Sequence, residues 1–198
     1  MREIHLISNG KQSLESFSRV AQTVQAYVSY IHLREKHRTD EELLTWINEL
    51  TKVGILKDKL IINDRVEVAV RMEVKGIQLT THSEGVASVR EAHPNLLIGQ
   101  SVHSLEEAKK AEDEGANYII FGHIYRTNSK PGLKPRGLEQ LQKLVQSIEI
   151  PVIAIGGITP ERVEGVMNCG AKGIAVMSGL IEAENPKEEV KCYLGGVL

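Results

Sequence analysis

A chain of 198 residues with 41% hydrophobic and 25% charged residues has an ordinary globular composition and can bury most of its apolar surface in one domain, taken as 1–198. A net charge of -2, with no basic cluster interleaved with aromatics, argues against nucleic acid or an anionic membrane as partner. No apolar run reaches the roughly 18 residues of a membrane span, and the start at Met1 lacks the pattern of a signal peptide. Cys169 and Cys192 lack metal-type spacing, so the expectation is a cytoplasmic protein with reduced thiols.

Short β-branched apolar runs recur along the chain at Ile4–Ser8, Tyr27–Leu33, Lys59–Ile62, Gly76–Leu79, Leu96–Gln100, Asn117–Phe121, Pro151–Ile155 and Gly173–Met177. Helix-period segments lie between them, such as Thr39–Lys52 with Leu43, Leu44, Ile47 and Leu50 on one face. Thr39 before three acids, Ser104 before Glu106 and Glu107, and Thr159 before Pro160 read as helix starts. Strands that are apolar almost throughout imply burial on both faces, the mark of a parallel sheet. Eight strand–helix units of about 25 residues each predict a compact (β/α)8 TIM barrel, with an open doubly wound sheet as the competing architecture. The ending Gly195-Gly196-Val197-Leu198 reads as a frayed tail.

In such a barrel the chemistry belongs at the C-terminal ends of the strands, and phosphate is held after the seventh and eighth. Here those two strands end in Gly156-Gly157 and in Ser178-Gly179. Each turn presents backbone N–H groups at the start of a helix, which suits an anion. The substrate is therefore expected to carry a phosphate.

The remaining candidates follow the other strand ends. Arg34 and Lys36 can share a face with His32 and suit a carboxylate or phosphate; the structural alternative is an ion pair with Glu35 or Asp64. Asn63 and Asp64 divide between polar substrate contact and a helix cap. Ser101 is a further polar contact, and His103, beside Ser104, suits a local structural role at least as well as a chemical one. His123 follows Gly122 at the end of a strongly apolar strand, where packing does not need an imidazole. With an unperturbed pKa near neutrality it can take and return a proton; the alternative is a satisfied hydrogen-bonding histidine. Thr127, Ser129 and Lys130 add hydroxyls and a charge in the long loop that follows. No dinucleotide fingerprint, P-loop, zinc-protease helix or nucleophile elbow occurs.

Taken together, these segments resemble the thiamin phosphate synthase superfamily, in order and over nearly the whole chain. The shared features are the Arg34-Glu35-Lys36 strand end, the Asn63-Asp64 turn, Gly99-Gln100-Ser101-Val102-His103, the Thr127-Asn128-Ser129-Lys130 loop and the two phosphate turns. Two departures point to the TenI branch. Arg65 and Thr80 or Thr81 stand where the synthase has magnesium-binding acids, and Gly122-His123 stands where it has Gly-Pro. This resemblance implies a thiazole tautomerase of thiamin biosynthesis, an isomerase working without metal or other cofactor. The non-aromatic thiazole carboxylate phosphate would become 2-(2-carboxy-4-methylthiazol-5-yl)ethyl phosphate, with proton transfer through His123. Arg34 and Lys36 would meet the substrate carboxylate, and Gly156, Gly157, Ser178, Gly179, Thr127 and Ser129 would hold the phosphate. The alternatives are a thiamin phosphate synthase and a non-catalytic regulatory protein that binds a thiamin intermediate. A homodimer is the base-rate expectation.

Overall fold

A computed structural model describes residues 2–195; of the tail expected to fray, Gly196, Val197 and Leu198 lie outside the described residues, as does Met1. Its strands are β1 (Glu3–Ile7), β2 (Tyr30–Leu33), β3 (Leu60–Asn63), β4 (Gly76–Leu79), β5 (Leu97–Val102), β6 (Tyr118–Gly122), β7 (Val152–Ile155) and β8 (Gly173–Val176). They pair in chain order, all parallel, and β8 returns to β1, closing a (β/α)8 barrel. The helices are α1 (Leu14–Val24), α2 (Asp40–Lys52), α3 (Val66–Arg71), α4 (Val86–Ala92), α5 (Leu105–Asp113), α6 (Gly137–Val145), α7 (Pro160–Asn168), α8 (Ser178–Ile181) and α9 (Pro186–Tyr193). The open doubly wound sheet is thereby ruled out. Among the described residues, no helix is long and apolar enough to cross a membrane.

The start signals act as anticipated at Thr39, which forms a reciprocal capping box with Glu42, and at Ser104, whose side chain accepts from the Glu107 amide. Thr159 occupies the cap position of α7 but makes no side-chain cap bond; Pro160 starts that helix. Two expectations need correction. Residues 27–29 do not belong to β2: the Tyr27 and Val28 amides donate to the Val24 carbonyl, and Lys59 Nζ binds the Gln25 and Val28 carbonyls at 2.6 and 3.0 Å. The run there is a turn that buries Val28 and partly buries Tyr27. On α2 the buried stripe is Leu43, Trp46, Ile47 and Leu50. Leu44 only flanks it, while Trp46 stacks on Phe17 with ring centroids 5.9 Å apart and carries the Arg38 guanidinium on its ring at 4.3 Å.

Alternation along the strands separates two cores. Outward residues such as Ile4, Leu6, Ile31, Leu33, Ile62, Ile77 and Phe121 pack against the helices, while Ile7, Tyr118, Ile120, Ile153 and Ala175 form a smaller cluster of their own. The inward face is divided. The polar side chains His5, His32 and Gln78 are buried, and His5 Nδ1 meets His32 Nε2 at 2.9 Å. Burial holds the His5 imidazole below its ordinary range although Glu3, 3.5 Å away, opposes this. His32 lies well below, through burial first and then the neighbouring His5, with Asn63 opposing.

A depressed imidazole means that the unfolded chain binds more protons than the native one once the pH falls below the unfolded value of about 6.5. Stability contributed by the pair is therefore complete above that pH. It declines on acidification towards the lower native values, by at most about 1.4 kcal/mol per pH unit for each imidazole that stays neutral. Urea midpoints measured from pH 7.5 to 5 should fall across this window, and His32→Gln should flatten the slope even if it lowers stability at pH 7.5.

Candidate active site

The C-terminal ends of the strands enclose a cavity of about 470 Å³. Of the candidates named above, Arg34, Lys36, Asn63, Ser101, His123, Thr127, Ser129, Lys130, Gly156, Gly157, Ser178 and Gly179 line it, and Asp64 does not. The apolar part of the wall includes Ile7, Ile120, Ile155, Ile158, Ala175 and Val176. A mostly apolar cleft of this size fits a small organic ligand with a few fixed polar groups.

One wall is assembled from the ends of β6 and β7. Pairing continues past the strands, with the Ile124 amide on the Ile155 carbonyl and the Tyr125 amide on the Gly156 carbonyl, both at 2.9 Å. The Gly122–His123 peptide is cis. Gly156 has φ +100, and a Cβ there would lie 2.3 Å from the His123 Cβ, so only glycine admits this approach. His123 is 6% exposed, with Nε2 3.3 Å from the Leu133 carbonyl.

The Gly156-Gly157 and Ser178-Gly179 turns are tied together from below. Tyr193 of α9 donates its hydroxyl to the Ile158 carbonyl at 3.2 Å, and a Cβ on Gly179 would meet that hydroxyl at 2.4 Å. The first amides of α8, at Ser178 and Gly179, have no intrahelical partner by construction, which leaves them for a ligand. Burial pushes the Tyr193 phenol up to about 12, so it stays a neutral donor. Nothing in the sequence marked this residue, because it stands on a helix remote from any strand end.

Opposite, Arg34 is positioned through its backbone: its amide donates to the buried Ser8 hydroxyl at 2.9 Å. The structural alternatives for this region fall away. Glu35 pairs with Arg38 at 3.1 Å, and among the described residues neither Arg34 nor Lys36 has an ion-pair partner. Lys130 joins them; its ammonium is held below the ordinary lysine range by partial burial first, then by Arg136, Arg34 and Lys36. Arg136 lies at the end of the same basic loop, with no pattern of its own in the sequence to mark it.

The cap alternative for Asn63 and Asp64 also fails, since Arg65 is the N-cap residue of α3 and makes no side-chain bond there. Asn63 lines the cavity with its side-chain oxygen buried and without a hydrogen-bond partner among the described residues. Asp64 instead accepts from the Thr80 hydroxyl at 2.9 Å and from Ser83. Arg65 turns to Asp40 at 3.1 Å. Ser101 accepts from Gln78 at 3.1 Å, and His103 Nδ1 is 3.0 Å from the Gly122 carbonyl, so His103 supports the strand end that carries His123. Gln78, Thr80, Thr81, His82 and His103 line the cavity as well. No Asp or Glu does so among the described residues, and no group of three or more His, Cys, Asp or Glu side chains there could hold a metal ion.

Comparison with known proteins agrees with this arrangement at the level of family. The family described as thiamine monophosphate synthase (TMP-TENI) matches residues 4–180. The chain is 34% identical over 184 residues to a thiamine-phosphate synthase of Methanococcus maripaludis, covering 92% of this chain and 88% of the relative. It is 36% identical over 183 residues to a thiamine-phosphate synthase of Pyrococcus abyssi, covering 90% and 88%. Among solved structures, thiamine phosphate pyrophosphorylase from Pyrococcus furiosus superposes with a TM-score of 0.82 at 32% identity, over 98% of this chain and 94% of that one. A 3-hexulose-6-phosphate synthase at 16% identity and a TM-score of 0.76 shares the fold. The names of these relatives match the synthase alternative and not the tautomerase. With a family match across most of its length and relatives above a third identical, the chain belongs to the thiamine monophosphate synthase family.

Proposed function

We propose that this protein is an enzyme of thiamin biosynthesis, and that its reaction is the isomerisation of a phosphorylated thiazole carboxylate, with His123 moving the proton. The observation that carries this reading is a buried imidazole set against the Gly156 turn in a cavity wall without acids among the described residues. A phosphate on Gly156, Gly157, Ser178 and Gly179, reached also by Thr127 and Ser129, would hold the ring within reach of His123. Arg34, Lys36 and Lys130 would take the carboxylate, and Asn63 and Ser101 would make further polar contacts. The neutral imidazole removes the proton from the ring carbon beside the carboxylate and returns one to the exocyclic alkene carbon. Protons balance, and the gain of aromaticity drives the step.

A magnesium ion, which the synthase uses, does not fit these residues. Asp64 accepts two hydroxyls on one oxygen, Oδ1, the neighbouring positions are Arg65 and Thr80, and among the described residues the cavity wall holds Arg34, Lys36 and Lys130 but no carboxylate. Hard divalent cations need several oxygen ligands of negative character. The second reading, a thiamin phosphate synthase transferring a pyrimidine from its pyrophosphate, is favoured by the names of the relatives.

Two assays on the same preparation separate the readings. The expected result is conversion of the non-aromatic thiazole phosphate without added metal, and no coupling of pyrimidine pyrophosphate to thiazole phosphate with magnesium. Robust coupling with no isomerisation would overturn the proposal. His123→Asn should lower kcat by about 10²–10⁴-fold while inorganic phosphate still raises the melting temperature as in the wild type. Arg34→Ala should raise KM for the carboxylated substrate by about tenfold or more, the weight of a charged hydrogen bond, and leave phosphate-induced stabilisation in place.

A further inference from the structure

We propose that the segment from Gly132 to Gly137 is a tautomer clamp: the Leu133 carbonyl keeps a proton on His123 Nε2, so that Nδ1 is the nitrogen that exchanges with the substrate. The inference rests on the proton-transfer role given to His123 above. It begins with a contact of 3.3 Å between His123 Nε2 and the Leu133 carbonyl oxygen. A carbonyl can only accept, so the nitrogen facing it must carry hydrogen. A neutral imidazole has one N–H, which leaves the lone pair on Nδ1. The ring is 6% exposed, so bulk water competes poorly for either nitrogen.

The same short segment also grips the backbone. The Arg136 amide donates to the His123 carbonyl at 2.8 Å, and the Gly137 amide donates to the Ile124 carbonyl at 3.0 Å. The ring and its main chain are thus fixed from one stretch of five or so residues, and rotation of the imidazole about χ2 would break the ring contact. The Leu133 side chain is 61% exposed, so apolar burial of that side chain is not what seats the segment.

Gly132 and Gly137 mark the two ends of this stretch at φ +77 and +78. A Cβ at either position would meet nothing within 4 Å. They are therefore needed for the handedness of the backbone and not for room, in contrast to Gly156. When Nδ1 takes the substrate proton, the ring becomes a cation and its bond to the Leu133 carbonyl becomes charge-assisted, which is stronger than the neutral one. The carbonyl then stabilises the imidazolium in the state where stabilisation assists the reaction.

The test uses the full chain with 15N-labelled histidine, and the His123 signals are assigned by their loss in His123→Asn. Long-range proton–nitrogen spectra at neutral pH should show Nε2 as the protonated, pyrrole-type nitrogen and Nδ1 as the unprotonated one. Gly132→Val and Gly137→Val should mix the tautomers and reduce kcat for isomerisation by about tenfold, the factor one hydrogen bond gives an equilibrium, with KM nearly unchanged. Gly132→Asn should keep both the wild-type spectrum and kcat, because asparagine tolerates the left-handed region. Gly54→Val, an equally open site at φ +92 outside the cavity lining, should lose stability without either effect. A wild-type ring protonated on Nδ1, or valine variants with an unaltered tautomer, would overturn the clamp. If the valine variants do not fold, the wild-type tautomer and the Gly132→Asn spectrum decide. The expected spectra in a protein that turns over no thiazole phosphate would leave the clamp standing and refute the proposed reaction.

Discussion

The absence of a methyl group at Gly156 governs the geometry of the cavity. The space that a Cβ would take is filled by the backbone and Cβ of His123, 2.7 and 2.3 Å from that point. The turn proposed to hold the phosphate and the residue proposed to move a proton are consequently one packed unit. A ligand anchored by its phosphate would have its distance to the imidazole set by that contact. Gly157 and Gly179 repeat the constraint on either side, against the Arg126 carbonyl and the Tyr193 hydroxyl. The three glycines fit the rim together so closely that any side chain on them would move a neighbouring wall.

Beneath the cavity, the barrel interior is built from two unlike halves. Ile120, Ile153 and Ala175 fill one side with ordinary apolar packing. The other places His5 against His32 and leaves the buried side-chain oxygens of Asn63 and Gln78 without partners among the described residues. Buried polar groups cost stability unless they are hydrogen-bonded. Asn63 and Gln78 both reach the cavity lining, so a polar ligand could complete their bonding. This half of the barrel is less stable than an all-apolar filling would be, and the loss is of the kind tolerated where a site must stay polar.

The strands were legible because a parallel barrel buries both their faces, which leaves short β-branched runs that turn residues separate cleanly. Where that logic misleads, at residues 27–29, a turn buries Val28 and part of Tyr27, and periodicity does not distinguish such a turn from a strand. The rim could be read for a similar reason: the chemistry of this architecture is confined to strand ends, so a histidine or a pair of cations there stands out. Tyr193 and Arg136 could not be found this way. One reaches the site from the final helix of the chain, and the other acts through the field it adds at Lys130. Neither kind of contact leaves a local pattern. The role of Asp64 was likewise closed to sequence, since its partners Thr80 and Ser83 come from the next unit.

The choice between an isomerase and a transferase turns on how the cavity handles charge. A thiazole carrying a phosphate and a carboxylate brings about three negative charges at neutral pH, and Arg34, Lys36, Lys130 and the nearby Arg136 supply four positive ones without help. A pyrophosphate group with a divalent cation needs an arrangement of the opposite sense, in which carboxylates hold the metal between protein and leaving group. Here the same cations would repel that metal, and Asp64 brings a single carboxylate whose Oδ1 already accepts two hydroxyls. A pyrophosphate departing against these cations alone would face flexible, partly solvated ammonium and guanidinium groups where the metal reaction has a fixed double charge. Proton transfer at carbon makes no such demand. It needs one acid–base group beside the ring, and in the proposed reaction the close approach at Gly156 lets His123 be that group.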